Sequence, residues 1–199
     1  MEKMPNSLSI AEKINLTRMQ LERGLKVMSV HELYPTPKHL ANRMVDLARL
    51  QPGQKILEPS AGTGALIESI LRVDPDADCT AVECEEVLFH HLRKTFPNVK
   101  VLHDNFFITR RLESGYDRIL MNPPFLHALD IKHIQLAMSL LSPGGRLVAI
   151  CADGPRQNDI LKPLVRAADG CWEPLPIGTF KEAGTMVRTV LLTFQKWHS

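Results

Sequence analysis

The stretch Lys55-Ile56-Leu57-Glu58-Pro59-Ser60-Ala61-Gly62-Thr63-Gly64 decides the fold. Lys55–Glu58 reads as a short strand. It runs into a glycine turn, and a helix opens at Gly64 and continues to about Arg72. Glycines there let the backbone turn tightly and approach a ligand without side-chain obstruction.

Outward from this unit the same alternation continues. Strand Cys79–Glu83 precedes helix Glu85–Thr95 and a short strand at Lys100–Leu102. Strand Arg118–Met121 ends at a Pro-Pro pair, and helix Asp130–Leu141 leads through Pro143-Gly144-Gly145 into strand Arg146–Cys151. Helix Gln157–Ala168 precedes two late strands, Trp172–Ile177 and Val187–Gln195. Strands alternating with helices predict an α/β fold with a mainly parallel sheet and helices on both faces. The two late strands, with no helix between them, predict an antiparallel hairpin at one edge. Upstream, Tyr34-Pro35-Thr36-Pro37 is extended, because a residue before proline avoids helical geometry. A helix over Lys38–Leu50 follows, with Leu40, Met44, Val45 and Leu47 on its apolar stripe. Ser9 and Glu12 form a capping box for an earlier helix that Gly24 closes. Residues 1–33 are therefore expected as a helical arm and 34–199 as the main domain.

Bulk properties narrow the function. The 199 residues suit one domain, and 44% hydrophobic with 23% charged residues is ordinary for a globular protein. No apolar run is long enough for a bilayer. The polar N-terminus is no secretory signal, so a cytoplasmic setting is expected. Cys79, Cys84, Cys151 and Cys171 form no close pair and no zinc-ligand spacing, so no metal is expected. Net charge is +2. Residues 1–50 carry eight Lys/Arg against five Asp/Glu, and residues 51–100 carry five against eight. The basic first quarter suits a polyanion or a plain solvated surface equally well.

Three strand ends compose a ligand site on one sheet edge. Glu58 places an anion at the first; it repels a pyrophosphate but attracts a cationic amino-acid moiety. The dinucleotide fingerprint also needs a third glycine where Ile67 stands. Both features favour S-adenosylmethionine over NAD. Glu83 closes the second strand, where an acid can accept from both ribose hydroxyls; it is also one of three acids at a helix start. After the third strand, Asp104 can accept from an adenine amino group and Phe106 can cover the ring, with Asn105 between them.

Asn122-Pro123-Pro124-Phe125 is the most specific signal in the chain. The prolines remove two backbone donors and leave carbonyls pointed outward. The Asn122 side-chain oxygen and the Pro123 carbonyl form an acceptor pair for an NH2 group. An exocyclic amine on a base is a poor nucleophile, because its lone pair is delocalised into the ring. Two acceptors draw the nitrogen toward a tetrahedral form, while Phe125 stacks on the base and aligns it with a sulfonium methyl.

With these motifs the chain resembles a class I methyltransferase of Rossmann-like fold, most closely the DNA adenine-N6 methyltransferases, over roughly Tyr34 to Lys196. The resemblance implies that Thr36 and Pro37 close over the methionine end of S-adenosylmethionine. It places Glu58, Pro59, Ser60, Gly62 and Gly64 in the glycine motif, and Glu83 at the ribose. Asp104, Asn105 and Phe106 fall at the adenine, and Asn122, Pro123, Pro124 and Phe125 in the catalytic tetrapeptide. Asn122 also borders the cofactor. Gly178-Thr179-Phe180-Lys181 resembles a late loop whose aromatic stacks on a flipped base; a hairpin core position for Phe180 is equally open. Enzymes of this group carry a target-recognition domain that this chain has no room for, so a partner subunit or a homodimer is expected to supply it. Nucleic acid is the implied partner, DNA ahead of RNA. Open alternatives are an RNA base amine (adenine N6 or guanine N2), a protein glutamine amide, and a non-catalytic cofactor-binding subunit.

Overall fold

A computed structural model of the protein describes residues 34–197. The Ser9 and Gly24 signals, and the arm over 1–33, fall outside those residues. Helix α1 (Lys38–Ala48) starts directly after Pro37, whose carbonyl accepts from the Leu40 and Ala41 N–H groups at 2.9 Å. Then follow β1 (Lys55–Glu58), α2 (Ala65–Val73), β2 (Asp78–Glu83), α3 (Glu86–Thr95), β3 (Lys100–His103) and β4 (Tyr116–Met121). Next come α4 (Leu129–Leu140), β5 (Leu141–Ala152), α5 (Pro155–Ala167), β6 (Trp172–Pro174) and β7 (Thr189–Gln195). The strands form one sheet in the order β3-β2-β1-β4-β5-β7-β6. β1 to β5 pair in parallel, and β7 runs antiparallel to both β5 and β6.

The α/β class and the antiparallel hairpin agree with the expectation from sequence. Within the hairpin the second strand lies inside and the first takes the edge. Val190, Leu191 and Leu192 are buried on alternating faces, which suits an interior strand. Pro174 lacks a donor and fits an edge, and β6 stops there rather than reaching Ile177. β5 starts earlier than Arg146, at Leu141. Its register against β4 shifts between Tyr116 and Arg118, so Pro143-Gly144-Gly145 forms an irregularity inside the strand rather than a loop before it.

Strand residues alternate between two cores. Ile56, Ala81, Leu120, Val148, Ile150 and Leu191 face α1 and α2 through Leu40, Met44, Ile67 and Ile70. Leu57, Val82, Ile119, Met121, Ala149 and Leu192 face α4 and α5 through Ile131, Ile134, Leu161 and Val165. Period-two alternation with both faces apolar is what a sheet covered on both sides requires. The chain builds outward from β1 to β3 and then returns to β4 on the other side of β1. That reversal leaves a crevice at the carboxyl ends of β1 and β4, where open α/β sheets bind ligands.

Candidate active site

The loops after β1, β2, β3 and β4, with the segment before α1, line a cavity of about 480 Å³ in this crevice. That is an ordinary size for a small-molecule site. The loops are laced together across the strand ends. The Ala61 N–H donates to the Val82 carbonyl at 3.0 Å, and the Asp104 N–H to the Glu83 carbonyl at 3.1 Å. Glu83 is the centre of this lacing. One carboxylate oxygen accepts from the Gly62 N–H at 2.7 Å and the other from the Glu85 N–H at 2.8 Å. Burial nevertheless raises its pKa.

Glu58 is 2% exposed, and its Oε2 is buried with no hydrogen-bond partner. The Ile67 N–H donates to this carboxyl. Burial, and then repulsion from Glu83, hold its pKa well above the usual carboxylate range. A buried acid with one open oxygen beside a second carboxyl suits a cationic ligand group, which would favour its ionised form.

At the end of β3, Asp104 accepts from the Asn105 N–H at 2.8 Å. A hydrogen bond from Thr109 holds its pKa below the usual range. Phe106 is buried, and its ring stacks on His133 of α4 at 5.6 Å. Phe107 meets the same imidazole edge-on at 4.2 Å. The His133 Nδ1–H donates to the Leu129 carbonyl at 2.9 Å, which leaves Nε2 as the acceptor; burial lowers the pKa and keeps the ring neutral.

Asn122 follows β4. Its Nδ2 donates to the Tyr34 carbonyl at 2.9 Å and to the Thr36 hydroxyl at 3.1 Å, while its Oδ1 is buried without a partner. The amide is thereby fixed in one orientation, with an open acceptor. Phe125 lies 6.2 Å from Tyr34, the rings 15° from parallel, and Phe180 meets Phe125 edge-on at 6.3 Å. His127 and Ala128 then take left-handed backbone conformations, with φ of 53° and 58°. Two successive non-glycine residues there carry strain of about 1–3 kcal/mol each, of the kind found at functional turns.

Among the residues singled out from sequence, Thr36, Glu58, Pro59, Ser60, Gly62, Glu83, Asp104, Asn105, Phe106 and the tetrapeptide Asn122–Phe125 all line the cavity. Three stand elsewhere. Pro37 caps α1. Gly64 adopts φ of +85° at the start of α2, where a Cβ would collide with the Phe96 ring and come within 2.8 Å of Leu92 Cδ2, so the position excludes a side chain. Phe180 is 1% exposed and sits behind Phe125. Tyr34 and His133 are among several cavity residues to which the sequence assigns no role. Tyr34 lies in the extended Tyr34–Pro37 segment, where the family resemblance marks Thr36 and Pro37 rather than the ring. His133 has no local signal, since it reads as one more position of a helix.

The model of one protein family, the methyltransferase small domain, matches residues 25–171. The chain belongs to that family. It is a class I methyltransferase and its cofactor is S-adenosylmethionine. The family assignment agrees with the cavity: the open Glu58 oxygen suits a cationic amino-acid end, and apolar and aromatic walls suit an adenine. Among curated proteins the chain is similar to ribosomal RNA small subunit methyltransferase A of Chlorobium phaeobacteroides, 32% identical over 93 residues, covering 45% of this chain and 35% of the relative. It is also similar to the type II methyltransferase M.HincII of Haemophilus influenzae, 26% identical over 100 residues, covering 50% of this chain and 18% of the relative. The chain thus spans about a third or less of these relatives' lengths. In fold it matches an RNA methyltransferase of Salinibacter ruber solved with S-adenosylhomocysteine, with a TM-score of 0.59 and 17% identity over 83% of this chain and 95% of that one. Among the described residues no helix is long and apolar enough to cross a membrane, and no group of three His, Cys, Asp or Glu side chains could hold a metal.

Proposed function

We propose that this chain transfers a methyl group to an exocyclic amine of a nucleic-acid base, adenine N6 foremost, with DNA ahead of RNA as the polymer. The observation that carries the reading is the Asn122 amide. Its nitrogen is tied to Tyr34 and Thr36, and its buried oxygen has no partner. A buried acceptor without a donor costs about 1–3 kcal/mol, which a substrate N–H would recover. Asn122 Oδ1 accepts one N–H of the amine and the Pro123 carbonyl the other, freeing the nitrogen lone pair for attack. The cofactor supplies an electrophilic methyl on a sulfonium sulfur. Methyl transfer from it would leave the sulfur as a neutral thioether, and the methylated amine held by Asn122 and Pro123 would shed its proton to solvent. Positioning and electrostatics carry the acceleration.

In this reading Glu58 pairs with the cofactor's ammonium group, Ser60 and Gly62 border its methionine end, and Glu83 accepts from the ribose. Phe106 and His133 wall the adenine, with Asp104 and Asn105 at its edge. In a duplex the target base has to leave the stack to reach this depth. The type II methyltransferase relative supports DNA as the polymer. RNA is the second reading, favoured by the relative named for ribosomal RNA.

The test is transfer of a labelled methyl group from S-adenosylmethionine to duplex DNA, single-stranded DNA and RNA, with digested nucleosides identified by mass. Methylation at adenine N6 is expected. Cofactor binding with no label in any nucleic acid, or label on a glutamine peptide, refutes the reading.

A further inference from the structure

We infer that Tyr34 is a substrate-positioning residue, and that it forms with Phe125 a two-sided aromatic slot for the ring that carries the amine. This rests on the reading of Asn122 as the amine's acceptor. Both aromatic side chains line the cavity. Their planes are 15° from parallel and their centroids 6.2 Å apart. A planar ring held between two others needs two van der Waals contacts, about 7 Å in all. The observed pair is near-parallel but about 1 Å closer than that, so the slot admits a ring only by opening slightly.

The two walls are held differently. Phe125 is 9% exposed and backed edge-on by Phe180, itself 1% exposed, so it cannot retreat. Tyr34 is half-buried, which makes it the wall that yields to an entering ring. Its main chain is fixed: the carbonyl accepts from Asn122 Nδ2 at 2.9 Å, and Pro35 restrains the next residue. The contact that orients the catalytic amide therefore also sets the position of the second wall. A ring entering beside Asn122 meets aromatic faces on both sides. A glutamine side chain offers no ring to fill the slot. Phe180 cannot be the second wall, because it stands behind the first.

The slot is tested with the full chain, S-adenosylhomocysteine and single-stranded polypyrimidine oligonucleotides carrying one 2-aminopurine, whose fluorescence stacking quenches. A matching oligonucleotide with one adenine reports methyl transfer. Tyr34→Leu is expected to abolish most of the quench and to lower kcat/KM by about 5- to 150-fold, the range for losing one base–aromatic stack. Its affinity for S-adenosylhomocysteine is expected to stay within about twofold of the parent. Tyr34→Phe is expected to restore most of the lost quench, since the ring rather than the hydroxyl does the stacking. The slot is overturned by parental quench in the Leu variant, by no quench in the parent, or by an equal loss of cofactor affinity. Parental quench that follows this pattern without any methyl transfer refutes the proposed function and leaves the slot standing.

Discussion

Replacing Asn122 by Asp separates the two jobs assigned to this side chain. The substitution keeps an acceptor facing the substrate but puts oxygen where Nδ2 stands, 2.9 Å from the Tyr34 carbonyl and 3.1 Å from the Thr36 hydroxyl. The hydroxyl can turn and donate to the new oxygen, but the carbonyl cannot. Losing one hydrogen bond costs about 1 kcal/mol, and two acceptors opposed in a buried site cost about as much again. Together this is about 2 kcal/mol, roughly 30-fold in rate. Protonation reverses the effect, because a neutral carboxylic acid donates to the Tyr34 carbonyl and still presents one acceptor. The variant's activity should therefore rise as pH falls through its carboxyl pKa, relative to the parent. Asn122→Ala removes the acceptor as well and should lose about 10²–10³-fold. Single-turnover transfer of labelled methyl across the pH range, with S-adenosylhomocysteine affinity measured alongside, reads all of this. An Asp variant as fast as the parent at neutral pH, with an unchanged pH profile, refutes the anchoring role of Tyr34 and Thr36.

Other perturbations test the rest of the site and its frame. Burial and then Glu83 raise the Glu58 pKa, so its folded pKa lies above its unfolded one; its stability contribution is present below the unfolded pKa and is lost as pH rises through the folded pKa. Glu58→Gln should raise the melting temperature of the ligand-free protein at neutral pH, and calorimetry should show weaker cofactor binding. In the parent, cofactor affinity should rise with pH until Glu58 is ionised, and the Gln variant should lose that dependence; a parental slope in the variant argues against pairing with the ammonium. Gly64→Ala should destabilise by about 2–4 kcal/mol through the Phe96 and Leu92 collisions and the left-handed backbone, as read from denaturant midpoints. Asp130 accepts from the Ile131 and Ala152 N–H groups and from Gln157 Nε2, at 2.9–3.1 Å. Asp130→Ala should cost about 2–4 kcal/mol of stability, with cofactor affinity of the folded molecule unchanged, and an unaltered melting curve would count against that network.

What the sequence disclosed follows from how local each cause is. The strand–turn–helix at Lys55–Gly64 and the tetrapeptide at Asn122 are contiguous, and each carries its chemistry within a few residues. The order β7 before β6 depends on Leu191 and Leu192 being buried from both sides, a tertiary fact that a two-strand pattern leaves open. Gly64 reads in sequence as one more glycine of the ligand turn beside Gly62. Only Phe96, just past the end of the next helix, shows why a side chain is excluded there. His133 reaches the cavity from the second turn of α4, at a helical position that carries no distinguishing signal. Tyr34 is 88 residues from Asn122, and no spacing rule joins them.

That long-range tie makes cofactor capture and group transfer separable along the chain. In the proposed reading capture rests mainly on the loops that follow the parallel strands, with Thr36 contributing at the methionine end, whereas the orientation of the reacting amide depends on residues 34–36, ahead of α1. Shortening the chain to begin at Pro37 should leave a molecule that still takes up S-adenosylhomocysteine but has lost control of its amide. A binding partner that drew Tyr34 and Thr36 away from Asn122 would silence transfer while leaving the cofactor in place.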